Sequence, residues 1–499
     1  MTWGLKRTAA LIIGIYLLFC AGLLYWVVIY SGSGDGDTLE HVHSSWLVWS
    51  GKIPYKDFFQ HHNPLLWYVG APLVGFYEYS LRAVDAVNML TVTAFLLMLF
   101  YIYRLHRDFL SGRFGGLVAT AFCALPQESL YNKDFKPDNF MALALVAGIY
   151  YLFRYLKSRN VSALVLSFLL FFAAFMFTQK AALVLIGMGA IILWLLYTGR
   201  AVWKDCLVAA ALPMLLYAAF LAFLYYEDVL AMYFKANFEL NSHIPDVFYT
   251  RRFIHPSFEM TVPLLLAFYA LARCGWSGNL YVKIIGAVFA FEYIIRFYYF
   301  TPFVYYFAFL HAVASTMAGV AASEMIRKRQ WLALVFAGYF VILGGIYADI
   351  YSRRITVGDD YKYGASGFVL RLVNPCDYVV NGYRIGYNLF NKDIDFIWNL
   401  KGQIDVIAAT IGIRPTADLE SLIRKYRPKI IYGKNYYDTY REYRGDIGKY
   451  PIHWISSHLL NEMYIPLNRD DLYILKPEYQ SYRCRYNPRT KSYEYQDWN

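Results

Sequence analysis

Carboxylate and imidazole side chains are concentrated in residues 34–64, directly after the first long apolar run of the chain. Such groups beside a bilayer are costly unless they face water, pair or have a function. If residues 37–46 form a helix, Asp37, Glu40 and His41 share one face. Imidazole and carboxylate ligands suit zinc or manganese, so Glu40, His41 and His43 could hold a divalent metal ion. The alternative is a solvated helix, N-capped by Asp37, whose histidines make ordinary hydrogen bonds.

A second polar segment, 131–139, places Asp134, Lys136 and Asp138 ahead of a later apolar run. Pro137 favours the first turn of a helix, because its missing N–H is not needed there. Asp138 would then lie in that turn or cap it. The sequence leaves two interpretations, which are a plain helix start with a capping aspartate and a charged group presented at the membrane surface.

A third set of residues is basic. Arginine binds phosphate through two N–H groups and lysine binds it as a point charge, so cations near the membrane surface suit a phosphate-bearing ligand. The members of this set are Lys180, Arg251, Arg252 and Arg296. Glu292 lies four residues before Arg296, so an ion pair within the membrane is the alternative for this arginine.

The composition indicates a polytopic α-helical membrane protein. Of its 499 residues, 58% are hydrophobic and only 17% are charged, whereas a soluble domain carries about 25% charged residues. Nearly uncharged runs of roughly 18–20 residues recur, and each can cross a hydrocarbon core about 30 Å thick. About eleven spans are predicted, at 9–30, 85–103, 114–126, 139–156, 161–178, 181–198, 207–225, 260–272, 284–300, 303–322 and 331–349. The net charge of +11 does not indicate a nucleic-acid partner, because the basic residues cluster in short loops between these runs.

The loop charges also predict the orientation. Every second loop is short and basic, as at Arg104–Arg107–Arg113 and Arg327–Lys328–Arg329, which marks the cytoplasmic side. The alternate loops are longer and richer in aromatic, acidic and histidine residues. A cytoplasmic N-terminus and an odd number of spans place the C-terminal part outside a cell (inner) membrane, in a periplasm or an equivalent compartment.

We therefore predict a transmembrane domain over 1–350, with outer loops at 31–80 and 226–258, and a water-facing domain over 351–499. In the last part, short strand-like apolar runs alternate with helical patterns, which is typical of a small α/β domain. Cys376 and Cys484 lie there and could form a disulfide in an oxidising compartment.

The first outer loop resembles that of the GT-C glycosyltransferases, in particular the branch of the protein O-mannosyltransferases and lipid A aminoarabinose transferase. The residues that carry the resemblance are Asp37, Glu40-His41, Gly51-Lys52-Ile53-Pro54-Tyr55, Asp57-Phe58-Phe59, His61-His62 and Pro64. It continues at Lys136-Pro137-Asp138, which opens the fourth span, and at Pro302 with Tyr305-Tyr306. In layout it covers about the first 330 residues. The chain departs from the pattern at Thr38, where the family often has a second acidic residue, and its C-terminal domain matches no acceptor-binding module of the family.

The resemblance implies a GT-C-like fold and an inverting transfer of a sugar from a polyprenyl-phosphate carrier in the bilayer. The acceptor would be a hydroxyl of a glycan, lipid or protein outside the membrane. Asp37 matches the family's catalytic acidic residue and would act as the general base.

Other residues would support this reaction. Cations must stabilise the phosphate leaving group, and the candidates are Lys180, Arg251, Arg252 and Arg296. Asp138 and Glu40 would orient the acceptor or a metal ion. The residues expected around the acceptor and its loop are Tyr55, Asp57, His61, His62 and Lys136. No cofactor is required with certainty, and the divalent metal ion is the one candidate.

Two other functions are compatible with a polytopic chain. A transporter or lipid flippase usually has repeated halves and helices broken at the membrane midplane, and neither feature is visible in the sequence. A scaffold that displays its C-terminal domain would not need acidic and histidine residues in the first outer loop.

Overall fold

The computed structural model describes residues 2–31, 36–124, 133–247, 258–274, 279–298, 304–355, 364–381, 388–398, 408, 411–413, 419–432, 455–467, 472–480, 482–487 and 492–497. The chain divides into two compact units. The first unit comprises Met1–Ser31, Asn88–Ala222 and Thr250–Gly358, and the second comprises Gly32–Val87, Phe223–Tyr249 and Asp359–Asn499.

Helices dominate the described residues. In chain order they are α1 (Thr2–Ser31), α2 (Gly36–Trp49), α3 (Leu65–Phe76), α4 (Arg82–Asp108), α5 (Gly112–Cys123), α6 (Pro137–Ser158), α7 (Val161–Phe177), α8 (Ala181–Tyr197), α9 (Trp203–Tyr226), α10 (Leu230–Phe234), α11 (Leu240–Val247), α12 (Phe258–Cys274), α13 (Leu280–Tyr298), α14 (Ala308–Lys328), α15 (Leu332–Ile355), α16 (Gly364–Leu372), α17 (Leu419–Tyr426) and α18 (Ser457–Met463). A π-helical turn at Lys235–Glu239 joins α10 to α11, and a 3-10 turn at Val304–Phe307 precedes α14.

The eleven predicted spans correspond to α1, α4–α9 and α12–α15, so a helix lies in each predicted run. By length and composition, six helices in the described part of the chain can cross a membrane: α1, α4, α6, α9, α14 and α15. Four others, α3, α7, α8 and α12, are apolar but shorter. Helix α13 carries Lys283, Glu292 and Arg296, which lowers its mean hydropathy. The chain is a multi-pass membrane protein.

Helix α14 lies at the centre of the first unit, where it packs against α5, α6, α12 and α13. Small residues along α14 allow close approach, which is how membrane helices associate without a hydrophobic driving force. At the crossing with α5, a Cβ atom added to Gly319 would lie 2.6 Å from the carbonyl oxygen of Gly115. Glycine is therefore required at this crossing.

Helix α6 starts as the sequence predicts. Lys136 is extended (φ −122°, ψ 145°), Pro137 occupies the first turn and Asp138 follows within it. The helix ends at Arg159, which has a left-handed φ of 58°. Asn160 then caps α7 by accepting a hydrogen bond from the backbone N–H of Ser162 at 2.9 Å. The sharp turn keeps α6 and α7 packed against each other.

The second unit contains a four-stranded sheet of order β1-β2-β4-β3, formed by β1 (Val379–Val380), β2 (Ile430–Tyr432), β3 (Tyr464–Pro466) and β4 (Leu472–Leu475). β1 and β2 are parallel, and the other pairs are antiparallel. Neighbouring residues of a strand face opposite sides, and both sides are buried. One side packs on α17 and α18, and the other contains Val369 of α16. This arrangement confirms the small α/β fold, to which a hairpin of β5 (Tyr482–Asn487) and β6 (Ser492–Asp497) is added.

The second unit also contains Gly32–Val87 and Phe223–Tyr249, which include most of the outer loops predicted at 31–80 and 226–258. They group with the C-terminal part because its residues bond to them directly. The backbone N–H of Phe59 donates to the carbonyl of Phe396 at 2.9 Å, and the Trp398 indole N–H donates to the carbonyl of Phe59 at 3.2 Å. Cys376 is in a disulfide bond. Its predicted pairing with Cys484 stays a prediction, because the Cys484 side chain lies outside the described residues.

Candidate active site

Helix α2 of the second unit carries Asp37 and Glu40. It spans Gly36–Trp49, so residues 37–46 are helical and the condition for Asp37, Glu40 and His41 to share one face is met. Asp37 lies in its first turn and is half-buried. Glu40 and His41 are buried one turn later. A carboxylate in the first turn interacts favourably with the positive end of the helix dipole.

Glu40 is held by a buried amide. The Gln60 side-chain NH₂ donates to Glu40 Oε1 at 3.0 Å and to the Ser44 hydroxyl at 2.7 Å, and the Ser44 hydroxyl donates to the carbonyl of Glu40 at 2.9 Å. All three residues are buried. Hydrogen bonding of this kind satisfies a buried carboxylate and fixes its orientation.

His41 lies beside His62 and Trp67. The indole N–H of Trp67 approaches His41 Nδ1 at 3.2 Å. Indole is a donor only, so His41 Nδ1 must be the acceptor, and a neutral His41 then carries its proton on Nε2. The rings of His41 and His62 lie 5.5 Å apart between centroids, and those of His61 and His62 lie 4.2 Å apart. Three imidazoles therefore meet in one part of the second unit.

His43 has different partners from Glu40 and His41. Its Nδ1 lies 3.3 Å from the carbonyl oxygen of Leu389, its Nε2 lies 3.3 Å from the side-chain nitrogen of Asn388, and its ring lies 4.3 Å from that of Trp398. Burial lowers the pKa of His43 to about 3, although the bonds to the 388–389 segment act in the opposite direction. His43 is therefore neutral near pH 7.

The predicted metal site at Glu40, His41 and His43 is not assembled in the described structure. Glu40 bonds to Gln60, His41 accepts from Trp67 and His43 contacts the 388–398 segment. Among the residues that the structure describes, no group of three or more His, Cys, Asp or Glu side chains is arranged to hold a metal ion.

Tyr55 and Asp57 shape the loop between α2 and α3. Tyr55 has a left-handed φ of 68°, and its hydroxyl donates to the carbonyl of His62 at 2.6 Å. Burial raises the pKa of Tyr55, so its hydroxyl stays protonated. Asp57 is exposed, and its Oδ2 accepts from the backbone N–H of Ile53 at 2.8 Å. Both residues thus close a turn, while their predicted place around an acceptor stays a prediction.

Residues 223–249, the second outer segment, hydrogen-bond to the loop that carries His61 and His62. The hydroxyl of Tyr233 donates to Asn63 Oδ1 at 2.9 Å, and the side-chain amide of Asn241 donates to the carbonyl of His61 at 2.8 Å. Tyr233 and Asn63 are buried. Residues from two distant parts of the sequence therefore fix the positions of His61 and His62.

In the first unit, Asp138 and Lys180 meet where α6 and α8 begin. Lys180 Nζ lies 3.3 Å from Asp138 Oδ1 and 3.3 Å from the centroid of the Tyr306 ring. The Asp138 side chain is 2% exposed and that of Lys180 is 13% exposed. A buried carboxylate and an aromatic face both stabilise a cation. The structure thus brings together two of the predicted site residues, one acidic and one basic.

An ion pair lies in the residues directly before α6 and fixes this part of the chain. Lys133 Nζ lies 2.9 Å from Asp134 Oδ1, and Asn139 donates to the carbonyl of Asp134 at 3.0 Å. The backbone N–H of Phe135 donates to Asn88 Oδ1 at 3.2 Å. Lys136 is buried in the same turn. These bonds hold Asp138 in place.

Some predicted residues cannot be located in full. Arg251, Arg252 and Pro302 lie outside the described residues. The backbone of Arg296 lies in α13, but its side chain lies outside the described part of the chain, so its ion pair with the buried Glu292 stays a prediction.

The comparisons with known proteins agree with this architecture. Residues 70–226 match the family described as dolichyl-phosphate-mannose-protein mannosyltransferase. ArnT from Cupriavidus metallidurans bound to undecaprenyl phosphate is 12% identical with a TM-score of 0.55, over 93% of this chain and 98% of ArnT. The chain thus has the fold of these membrane enzymes and is similar to the GT-C glycosyltransferases.

Archaeal enzymes share the same fold. The apo oligosaccharyltransferase of Archaeoglobus fulgidus is 12% identical with a TM-score of 0.54, over 100% of this chain and 75% of that one. The enzyme AglB of the same organism, in complex with an inhibitory peptide and a dolichol-phosphate, is 12% identical with a TM-score of 0.50, over 99% of this chain and 74% of that one. No curated protein sequence matches the chain.

Several residues around the candidate site are not identified by the sequence alone. Gln60 lies within the recognised motif, but nothing in its type suggests that it binds Glu40. Trp398 and Asn388 contact His43 from about 350 positions away. Tyr306 belongs to a segment that resembles the family, and only the structure reveals its ring over Lys180.

Proposed function

We propose that the chain moves a sugar from a polyprenyl-phosphate donor to a hydroxyl of a glycan, lipid or protein at the extracytoplasmic face of the membrane. Two of the structures with this fold contain a polyprenyl-type phosphate, namely undecaprenyl phosphate in ArnT and a dolichol-phosphate in AglB. The apolar helices supply the surroundings that such a lipid needs.

The observation that carries the donor assignment is the part-buried Lys180. Its ammonium lies at the start of α8 between Asp138 and the Tyr306 ring. An ammonium has three N–H donors, so it can hold Asp138 and a phosphate oxygen at once. A cation in a site of low dielectric constant stabilises the charge that develops on a departing phosphate. Arg251, Arg252 and Arg296 are further candidates for this task.

In the transfer, the acceptor oxygen attacks the anomeric carbon from the face opposite the phosphate. The bond between that carbon and the phosphate oxygen breaks, and its electron pair leaves with the polyprenyl phosphate. Asp37 takes the acceptor's proton as general base. Its partial exposure in the first turn of α2 supports this role, because a base must come within hydrogen-bond reach of the acceptor.

Glu40 and Asp138 have supporting roles in this proposal. Glu40 is fixed by Gln60 and would orient acceptor hydroxyls near Asp37, and Asp138 would set the position of the Lys180 ammonium. The acceptor would also contact the loop that contains Tyr55, Asp57, His61 and His62, and Lys136 at the start of α6.

We also propose an inner-membrane location with a cytoplasmic N-terminus, a transmembrane domain over 1–350 and an extracytoplasmic domain over 351–499. The basic loops support this orientation. Reporter fusions after Arg113 and after Asn499 test it, because the first should give a cytoplasmic signal and the second an external signal. A cytoplasmic signal from the second would contradict the orientation.

Mass spectrometry of a deletion strain tests the function itself. We expect one lipid-linked sugar to accumulate and the same sugar to disappear from a surface glycan, lipid or protein. Complementation with the wild-type chain should restore both. Unchanged pools of lipid-linked sugars and unchanged surface sugars would contradict a transferase of this kind.

A further inference from the structure

A groove between α8 and α13 contains none of the candidate site residues. It has a volume of about 530 Å³, within the range of about 300–1,000 Å³ that is usual for ligand sites. It is lined by Ala190, Ile191, Trp194, Leu271, Lys283, Ile284, Gly286, Ala287 and Ala290. The lining is thus apolar except for Lys283.

Close packing at one end and small residues beyond it create this groove. A Cβ atom at Gly187 of α8 would lie 2.5 Å from the Phe291 ring of α13, so the two helices touch there. The small residues Ala190, Gly286 and Ala287 leave a hollow that extends away from this contact. From Gly187 to Trp194 it follows seven residues of helix, which is about 10 Å.

At the end of the groove away from Gly187 lie Trp194 and Lys283, and both are exposed. Tryptophan prefers the boundary between hydrocarbon and water, and a lysine at that depth attracts anionic lipid head groups. The apolar part of the groove suits an acyl chain, and the tryptophan and cation at its end suit the negatively charged head group of the same lipid.

We propose that this groove binds one acyl chain of an anionic phospholipid, with Lys283 against its phosphate. Lys283 follows one of the short basic loops that the positive-inside rule assigns to the cytoplasm, so the lipid would come from the cytoplasmic leaflet. Basic pockets between membrane helices on that side are suited to anionic head groups. The occupant is a bilayer phospholipid, and the site does not depend on the proposed transfer reaction.

Lipid retention tests this proposal. The full-length protein is reconstituted in vesicles of equal parts dioleoyl phosphatidylglycerol and dioleoyl phosphatidylcholine, then extracted in mild detergent, and the retained lipids are quantified by mass spectrometry. We expect the wild type to retain phosphatidylglycerol in preference to phosphatidylcholine. Lys283→Gln should lower this preference by about fivefold, the factor expected for one basic residue at an anionic surface.

A second variant tests the apolar part. Ala287→Phe fills the groove and should reduce the retention of both lipids. Two matched controls test whether removing any exposed lysine, or adding a ring at any exposed position, changes lipid retention. Lys204→Gln removes an exposed lysine in α9, and Ala219→Phe adds a ring to an exposed position of the same helix. Both controls should behave as the wild type. Equal retention of the two lipids by the wild type, or wild-type retention by both Lys283→Gln and Ala287→Phe, would overturn the proposal.

Discussion

The ion pair of Asp138 and Lys180 gives the sharpest energetic prediction. Asp138→Asn leaves the part-buried Lys180 ammonium with the Tyr306 ring as a remaining partner. Loss of one member of a buried pair usually costs about 3–5 kcal/mol, and a retained cation–π contact offsets roughly 1–2 kcal/mol. We therefore expect a loss of about 3 kcal/mol. Lys180→Met should cost a similar amount, because it strands a carboxylate that is 2% exposed.

The double variant Asp138→Leu with Lys180→Met separates stability from function. Replacing both charges with apolar groups should bring the free energy of unfolding to within about 1 kcal/mol of the wild type. Denaturant unfolding in detergent measures the double-mutant cycle, and sugar transfer in proteoliposomes measures activity. We expect restored stability without transfer, because Lys180 would hold the donor phosphate. Wild-type transfer by the double variant would refute this reasoning.

Three further predictions follow from other contacts. Gln60→Leu removes the amide hydrogen bond to the buried Glu40 carboxylate and should lower the free energy of unfolding by about 2 kcal/mol. A change below about 0.5 kcal/mol in denaturant unfolding would contradict this role of Gln60. Gly319→Ala should lower thermal stability because its Cβ meets a backbone oxygen at 2.6 Å, while Gly189→Ala, with open space, should not. His43 has a pKa of about 3 in the fold and about 6.5 when unfolded. His43 therefore takes up a proton in the unfolded chain before it does so in the fold, and this should lower the free energy of unfolding as pH falls from about 6.5 toward 3. His43→Gln should flatten this pH dependence, and an identical slope would contradict it.

The sequence identifies the membrane helices and the start of α6 for physical reasons. Long uncharged runs have few alternatives in a bilayer, and Pro137 with Asp138 specifies the start of α6. The i, i+3, i+4 spacing of Asp37, Glu40 and His41 places them on one face if the segment is helical, and the segment is helical in the structure.

Other features need the structure because they depend on tertiary contacts. Glu40 and His43 lie on the same short helix, yet Gln60 binds one and the 388–398 segment packs on the other. The side-chain types are those of a metal site, but the spacing does not say which way each one points. The grouping of the outer loops with the C-terminal sheet likewise depends on contacts over more than 300 residues, such as that of Phe59 with Phe396.

The measurement that tests the central claim most directly is transfer of a labelled sugar from a polyprenyl-phosphate donor by Asp37→Asn in proteoliposomes. We expect transfer to fall at least 100-fold, as for the loss of a general base, with wild-type expression and thermal stability. The matched control Glu239→Gln neutralises an exposed carboxylate in the second outer segment and should transfer normally. Transfer by Asp37→Asn at the wild-type rate would contradict the account.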